Sequence, residues 1–159
     1  MAYTTPKTWN ASLVTVAEFN TYIRDNQIAL KDPPSATYSN WSISINTTST
    51  SFVLINAAFT GSITTTGGRV LITVTGRVLL GGTGQIAYFA PVIDGVLQGD
   101  SGEGVYRHPA ESGSATHGFS FSFWSDALSA AAHTITLHWK TNTGTLTLQG
   151  LQVMYREVS

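Results

Sequence analysis

Residues 119–123 read Phe-Ser-Phe-Ser-Phe, a strict alternation of large apolar and small polar side chains. Successive side chains of a β-strand point to opposite faces of the sheet, so this alternation predicts a strand with one buried and one solvated face. Residues 135–139 repeat the pattern as Ile-Thr-Leu-His-Trp, and residues 151–155 repeat it as Leu-Gln-Val-Met-Tyr. The repetition indicates a fold made mainly of half-buried antiparallel strands.

Further strands are predicted on either side of these three. Residues 41–45 and 70–74 also alternate, whereas residues 51–59 and 85–93 are apolar on both faces and predict strands that are covered on both sides. Asp94-Gly95 between two apolar pairs is a hairpin signal. About 8–10 short strands without intervening helices favour an antiparallel jelly-roll β-sandwich, which we assign to a head domain at residues 35–159.

The first 34 residues have a different pattern and form a separate arm in our prediction. Thr15 and Glu18 have the spacing of a capping box, in which each side chain bonds the other's backbone N–H. Apolar residues at helical spacing follow until Pro33-Pro34, which cannot continue a helix. The pattern predicts one α-helix over 16–31, whose apolar stripe must rest on the head, on a neighbouring copy or on a larger partner.

Composition excludes several classes of function. The chain has 159 residues, a net charge of −1 and no cysteine, and 11% of its residues are charged. The near-zero charge gives no footprint for nucleic-acid binding. No apolar run approaches the roughly 18 residues of a membrane-spanning helix, so we expect no membrane insertion. The absence of cysteine removes thiol catalysis and cysteine-based metal sites.

No catalytic or metal-binding pattern stands out, and we expect neither an enzyme nor a cofactor. The sequence has no Gly-X-Ser-X-Gly elbow and no phosphate-binding loop followed by lysine. His108 and His117 share a polar loop with several acids, but their spacing resembles no known metal site. A solvated polar loop is the favoured interpretation of that cluster.

That loop, residues 98–118, is predicted to be an outward-facing excursion between two strands, because it holds five glycines and little alternation. If the chain has a small ligand, the loop is where we expect it. The contacting side chains would be Asp100, Glu103, Tyr106, Arg107, His108 and Glu111.

The aromatic residues predict self-association. Tyr88 and Phe89 lie on opposite faces of one apolar strand, Tyr155 lies in the last strand, and Trp124 points away from the face of the three phenylalanines. One small sandwich does not have room to bury all of them, so we predict that these four residues contribute to the interface of a homotrimer. The alternative for Trp124 is a platform on which a sugar stacks.

Two stretches carry a resemblance to known proteins. Thr8-Trp9-Asn10 precedes residues 14–26, which read Val-Thr-Val-Ala-Glu-Phe-Asn-Thr-Tyr-Ile-Arg-Asp-Asn. This segment resembles the start of many small structural proteins of tailed phages and prophages, although Ser12-Leu13 stands where that group often has Gly-Glu. Residues 92–95, 119–123 and 131–137 resemble the jelly-roll heads, similar to the C1q and tumour-necrosis-factor fold, that follow such segments.

The resemblance implies a bacteriophage virion protein, assembled in the cytoplasm of the bacterial host. Such a protein would attach to capsid or tail subunits through its N-terminal segment and display a trimeric head. The residues of this anchor would be Trp9, Phe19, Tyr22, Ile23, Arg24 and Asp25. Three functions stay open: a decoration or cement protein, a short fibre tip that binds a host surface glycan, and a free-standing carbohydrate-binding module.

Overall fold

The structure is a computed structural model that describes residues 15–24, 27, 33–110 and 114–158. Its helical elements are the α-helix α1 (Val16–Phe19), a π-helical turn (Asn20–Arg24) and a 3-10 turn (Ala57–Phe59). Its strands are β1 (Ser35–Asn40), β2 (Ile45–Thr47), β3 (Val53–Leu54), β4 (Gly61–Thr64), β5 (Arg69–Leu80), β6 (Ile86–Ile93), β7 (Val96–Leu97), β8 (Tyr106–Pro109), β9 (Ala115–Ala127), β10 (Ala132–Thr141) and β11 (Leu146–Val158).

The strands form two antiparallel sheets. In sheet A the order is β1-β11-β5-β9, and β2 pairs with β11 beyond the end of β1. In sheet B the order is β3-β10-β6-β7, with β4 also on β10 and β8 also on β6. Most sequential neighbours therefore lie in opposite sheets, as in a jelly roll. The predicted class, a mainly β antiparallel jelly-roll sandwich with one helix, is confirmed.

The alternating sequences place one side chain of each pair between the sheets. Val70, Ile72 and Val74 of β5 are fully buried, and so are Val153 and Tyr155 of the neighbouring β11. From the facing sheet, Trp139 of β10 and Phe89 of β6 fill the same layer. The rings of Phe89 and Phe119 stack across the two sheets with centroids 4.5 Å apart. This continuous apolar layer is the core of the head.

The described part of the chain contains eleven strands, slightly more than the predicted 8–10, because short edge strands such as β3 and β7 have too little sequence to alternate. Two of the predicted strands are wrong in detail. In residues 51–59, the strand lasts only for Val53–Leu54, and Asn56 then caps the 3-10 turn by accepting from the backbone N–H of Ala58 at 2.8 Å. In residues 41–45, Trp41 does not join a strand. It lies in a turn, is 46% exposed, and its ring lies against the bulge at Gly150.

The predicted hairpin at Asp94-Gly95 is present. β6 and β7 pair as Val92 with Leu97 and Ile93 with Val96, which leaves two residues in the turn. Asp94 has φ 49° and Gly95 has φ 83°, so both central residues adopt the left-handed conformation of a type I′ turn. Asparagine, aspartate and glycine are the residues that accept this conformation at low cost.

The predicted capping box is present at the start of α1 in the arm. The Glu18 backbone N–H donates to Thr15 Oγ1 at 3.2 Å, and the Thr15 backbone N–H donates to Glu18 Oε2 at 3.0 Å. The prediction of an α-helix over 16–31 is wrong for residues 20–24, because Asn20–Arg24 is a π-helical turn with wider i→i+5 bonding, whereas Gln27 is α-helical. Residues 25–26 and 28–31 of that prediction lie outside the described residues.

Candidate functional surfaces

The first part of the predicted ligand loop, residues 98–105, is a compact turn that runs along β6. Asp100 Oδ1 accepts from the backbone N–H groups of Gly102 at 2.7 Å and Glu103 at 2.8 Å. The backbones of Asp100 and Gly104 also bond to each other in both directions. Glu103 and Arg107 form an exposed ion pair with 3.2 Å between Oε1 and Nη1. The carboxylate of Asp100 is therefore occupied in shaping its own turn.

The second part of that loop is a strand, which corrects the prediction of an irregular excursion over 98–118. β8 pairs with β6 in the register Tyr106 to Phe89, and β9 already begins at Ala115. Periodicity could not predict this strand, because the four residues of β8 do not alternate between apolar and polar. Glu111 lies outside the described residues.

Tyr106 and His108 point inward toward β9 and do not form a free loop. The Tyr106 ring stacks on Phe121 with centroids 4.8 Å apart and planes 11° from parallel. Its hydroxyl lies 3.1 Å from His108 Nδ1, and the rings of His108 and His117 lie 5.2 Å apart. Desolvation raises the pKa of the Tyr106 phenol. These two predicted ligand contacts are thus part of an aromatic stack.

This stack closes one side of the sandwich only in part. β8 and β9 are the outermost strands of their sheets there, and Tyr106, Phe121 and Phe123 are half-buried where the core meets solvent. We refer to these three residues as the aromatic edge. It is an apolar surface that the isolated chain leaves partly exposed.

Two of the four residues predicted for the trimer interface are buried within the single chain, and the prediction is wrong for them. Phe89 and Tyr155 are both 0% exposed. The Tyr155 hydroxyl donates to the backbone carbonyl of Phe59 at 3.1 Å, and burial raises the pKa of this phenol. The core is larger than the sequence suggested, because eleven strands and the 3-10 turn cover both aromatic rings.

The other two predicted interface residues keep surface available. Tyr88 lies on the outer face of sheet B, where the Lys140 ammonium sits 5.0 Å from its ring and 4.9 Å from that of Phe52. Trp124 is 47% exposed on the outer face of sheet A, opposite Leu71 of β5. Its side chain points away from the phenylalanine face, as the alternation predicted.

Trp124 belongs to a larger apolar group on this outer face. Leu71 lies beside it, and Met154 and Val158 of β11, 38% and 41% exposed, lie on the same face on either side of Arg156, the register partner of Leu71. We refer to Leu71, Trp124, Met154 and Val158 as the outer patch. Paired hydroxyls lie on the same face, such as Thr73, the register partner of Met154, with Ser122 at 3.2 Å.

The arm presents its predicted anchor residues in different ways. Phe19 is 55% exposed and Arg24 is exposed, while Tyr22 and Ile23 are half-buried. No residue of α1 or of the π-helical turn is buried. Trp9 and Asp25 lie outside the described residues.

A group of titratable side chains next to the β6–β7 hairpin superficially resembles a catalytic triad. His133 Nδ1 lies 2.6 Å from Asp94 Oδ2, and Ser129 Oγ lies 3.4 Å from His133 Nε2. Nε2 is closer to the backbone carbonyl of Ser129, at 2.9 Å. Because both ring nitrogens face acceptors, both donate, and Nε2 is not available to take a proton from the serine.

The Asp94–His133 pair instead fastens the hairpin to β10. The hydrogen bond that His133 donates to Asp94 raises the pKa of His133. The same bond lowers the pKa of Asp94, and so does a second bond that Asp94 accepts from the Thr134 backbone N–H at 2.8 Å. The sequence placed these two residues 39 positions apart and gave no signal that they meet.

A buried acid lies near this end of the sandwich. Glu157 is 1% exposed, and its Oε1 accepts from the backbone N–H groups of Thr66 at 2.7 Å and Gly68 at 2.8 Å and from the Thr66 hydroxyl at 3.1 Å. It therefore ties the turn between β4 and β5 to the last strand. Among the residues that the structure describes, no three histidine, aspartate or glutamate side chains converge to hold a metal ion.

Comparisons with known proteins add little to this picture. No family model and no curated protein matches the chain. One solved structure, of the infectious bursal disease virus Gx strain, is similar over 79% of this chain with 12% sequence identity and a TM-score of 0.34. The chain spans 38% of the length of that viral chain. At this level of similarity the match carries no argument about function. In the described residues, no helix has the length and apolar character needed to cross a bilayer.

Proposed function

We propose that the chain is a non-enzymatic structural protein of a bacteriophage virion. It acts as a trimeric decoration, cement or short fibre protein that attaches to the capsid or tail through its N-terminal arm. Its site of action is the virion, which assembles in the cytoplasm of the bacterial host. The alternative is a receptor-binding fibre tip or carbohydrate-binding module that recognises a host glycan.

The observation that carries the proposal is the state of the arm. α1 has a complete capping box, yet Val16 and Phe19 are 78% and 55% exposed. A helix this short gains stability chiefly by packing an apolar face, and α1 buries none of its residues. A preformed apolar segment of this kind suits an anchor that completes its packing on a partner.

The absence of enzymatic chemistry is supported by the use that the structure makes of its acids and histidines. Asp94 and His133 bond to each other, Asp100 shapes a turn, and Glu157 holds another turn. Each of these groups is bonded to backbone or to a neighbouring side chain and not arranged around an open cleft.

The homotrimer is supported by two different apolar surfaces on the same chain. The outer patch lies on the outer face of sheet A, whereas the aromatic edge lies where β8 and β9 leave the sandwich incompletely closed. Contact between two unlike surfaces of identical chains is heterologous, and it closes into a ring when the rotation between subunits allows it. A three-membered ring would cover both surfaces on every subunit.

Incorporation into particles tests the anchor. Tagged full-length chain and a tagged chain starting at Ser35 would be expressed in cells that produce the phage, and the virions purified on a density gradient. We expect the full-length chain in the particle band and the truncated chain outside it. The Phe19→Asp variant should be depleted from particles, and Thr37→Asp, on the exposed strand β1 of the head, should not be. Equal incorporation of full-length and truncated chains would contradict the anchor.

A further inference from the structure

A cavity of about 380 Å³ opens at the end of the sandwich between two glycine-rich turns. One turn, residues 81–85, joins β5 to β6, and the other, residues 142–145, joins β10 to β11. Three glycines, three threonines and Gln85 line the cavity. Its volume is within the range of small-molecule sites, which is about 300–1,000 Å³.

The walls of the cavity are held in place by two amide side chains. Gln85 is 3% exposed; its Oε1 accepts from the backbone N–H of Gly81, and its Nε2 donates to Thr141 Oγ1 at 3.2 Å. Asn142 Nδ2 donates to the backbone carbonyl of Gly84 at 2.9 Å, and Asn142 Oδ1 accepts from the Ile86 backbone N–H at 2.8 Å. Such cross-links fix the cavity before a ligand arrives, which lowers the entropic cost of binding.

Among the lining residues that the structure describes, the available surface is uncharged and combines apolar atoms with hydroxyl and backbone groups. The exposed hydroxyls of Thr143 and Thr145 bond to no group among the described residues. A Cβ atom added to Gly82 would meet nothing within 4 Å, so the backbone of this glycine faces open space. Because no lining residue in the described part of the chain carries a charge, an ionic ligand would lose hydration there without a compensating partner.

The cavity lies at the opposite end of the head from the arm. The Glu157 backbone N–H bonds to the carbonyl of Pro34, so the arm enters where β11 ends. The cavity lies where β5 ends and β11 begins. The 12 residues of β5 separate the two ends, a distance of roughly 40 Å at about 3.3 Å per residue. A chain held by its arm would present this cavity outward.

We propose that the cavity is a binding site for a neutral saccharide. Hydroxyls and backbone groups of the two turns match the alternating donors and acceptors of a sugar ring. With no aromatic ring among the lining residues that the structure describes, we expect weak binding, with Kd of about 1 mM or higher. The inference concerns the head by itself and goes beyond the structural role proposed for the whole chain.

Nuclear magnetic resonance on the ¹⁵N-labelled full chain tests the site. D-glucose, D-galactose, N-acetyl-D-glucosamine and L-rhamnose would each be added to about 50 mM, since weak sites saturate only at such concentrations. We expect at least one sugar to give saturable shifts of the backbone amides of Gly81, Gly82 and Gly144, while Gly67 at the arm end stays unchanged. Glucose 6-phosphate should bind more weakly than glucose.

Two variants and their controls make the result specific. Gly82→Leu fills the cavity and should abolish the shifts, whereas Gly118→Leu, also at a glycine with open space around it, should leave them intact. Thr145→Val removes one hydroxyl at nearly constant volume and should weaken binding about tenfold, since an unpaired sugar hydroxyl is costly; Thr37→Val is its control. The absence of saturable shifts with all four sugars, or shifts that persist in Gly82→Leu, would overturn the site. Either outcome leaves the anchoring test unaffected.

Discussion

The two ends of the head are held together by different chemistry. At the arm end, ionisable side chains close the turns: Glu157 fixes the turn between β4 and β5, and the Asp94–His133 pair fixes the β6–β7 hairpin. At the cavity end, the neutral amides of Gln85 and Asn142 hold the turns by hydrogen bonds. Because pairing shifts the pKa values of Asp94 and His133 and the amides do not titrate, we expect the stability of the arm end, and not that of the cavity end, to depend on pH.

The difference matters for the proposed assembly, in which the arm end is anchored and the cavity end is free. A carboxylate that is bonded to backbone N–H groups and removed from water is strongly held, and it also has much to lose when its partners are removed. Neutral amides cost less to bury and do not titrate. We therefore expect the largest and the most pH-sensitive effects of substitution at the arm end.

Removal of Glu157 should have the largest effect. In Glu157→Ala, the buried N–H groups of Thr66 and Gly68 lose their acceptor, and we expect the free energy of unfolding to fall by about 3 kcal/mol. Glu157→Gln keeps an oxygen at the same position and should lose clearly less. Urea denaturation of the three proteins at pH 7 checks the order. A loss in Glu157→Ala no larger than in Glu157→Gln would show that the acceptor is unimportant.

Removal of Asn142 at the other end should have an intermediate effect. Asn142→Ala deletes the bonds to Gly84 and Ile86 at a partly exposed position, and we expect a loss of about 1–2 kcal/mol. Because neither partner titrates, the loss should be the same at pH 5 and pH 8. A pH-dependent loss measured by the same denaturation would break the contrast between the two ends.

The Asp94–His133 pair should give a smaller effect with a defined pH dependence. A raised pKa of His133 means that its contribution is complete below the ordinary value of 6.5 and is lost as the pH rises through the raised value. A lowered pKa of Asp94 means that its contribution is present above 3.8 and is lost as the pH falls through the lowered value.

The pair therefore stabilises most between those two ordinary values. There we expect His133→Ala to be less stable than the wild type by about 1 kcal/mol, a figure kept low because the Asp94 side chain is 49% exposed. The difference should shrink as the pH rises through the raised pKa of His133 and the wild type loses this proton. Thermal melts across this range measure it. A difference that grows with rising pH would contradict the pairing.

Substitutions on the arm should affect the head least. Phe19→Asp changes an exposed side chain of α1, and we expect the free energy of unfolding of the head to change by less than about 0.5 kcal/mol. Calorimetry of the full chain, with Val153→Asp as a variant that must disrupt the core, measures this. A large loss in Phe19→Asp would mean that the arm packs into the head.

Much of the sandwich could be predicted because its long strands alternate strictly. β9, β10 and β11 each place large apolar side chains on the inner face and mainly polar ones on the outer face, with Trp124, Met154 and Val158 as exceptions, so burial largely follows from sequence position. The capping box and the Asp94-Gly95 turn were predictable for a related reason, since each depends on residues next to one another in the chain. Structure that depends on residues close together in the chain could therefore be predicted from the sequence.

What could not be predicted depends on contacts between distant residues. β3 and β8 are edge strands formed because β10 and β6 offer them backbone partners, and their own sequences do not alternate. Phe89 and Tyr155 were predicted at a subunit interface because one small sandwich did not have room for all the aromatic residues, yet the facing sheet and the 3-10 turn bury them. The cavity between residues 81–85 and 142–145 brings together two turns about 60 positions apart, and no sequence period connects them.

The central claim is that surfaces left open on one chain are covered in an assembly of three. Multi-angle light scattering of the full-length chain at micromolar concentration tests it most directly. The chain has a mass of 17.0 kDa, and we expect a particle of three times that mass, about 51 kDa. Trp124→Glu in the outer patch should reduce it to the mass of one chain. A wild-type mass of 17.0 kDa under the same conditions would contradict the trimer.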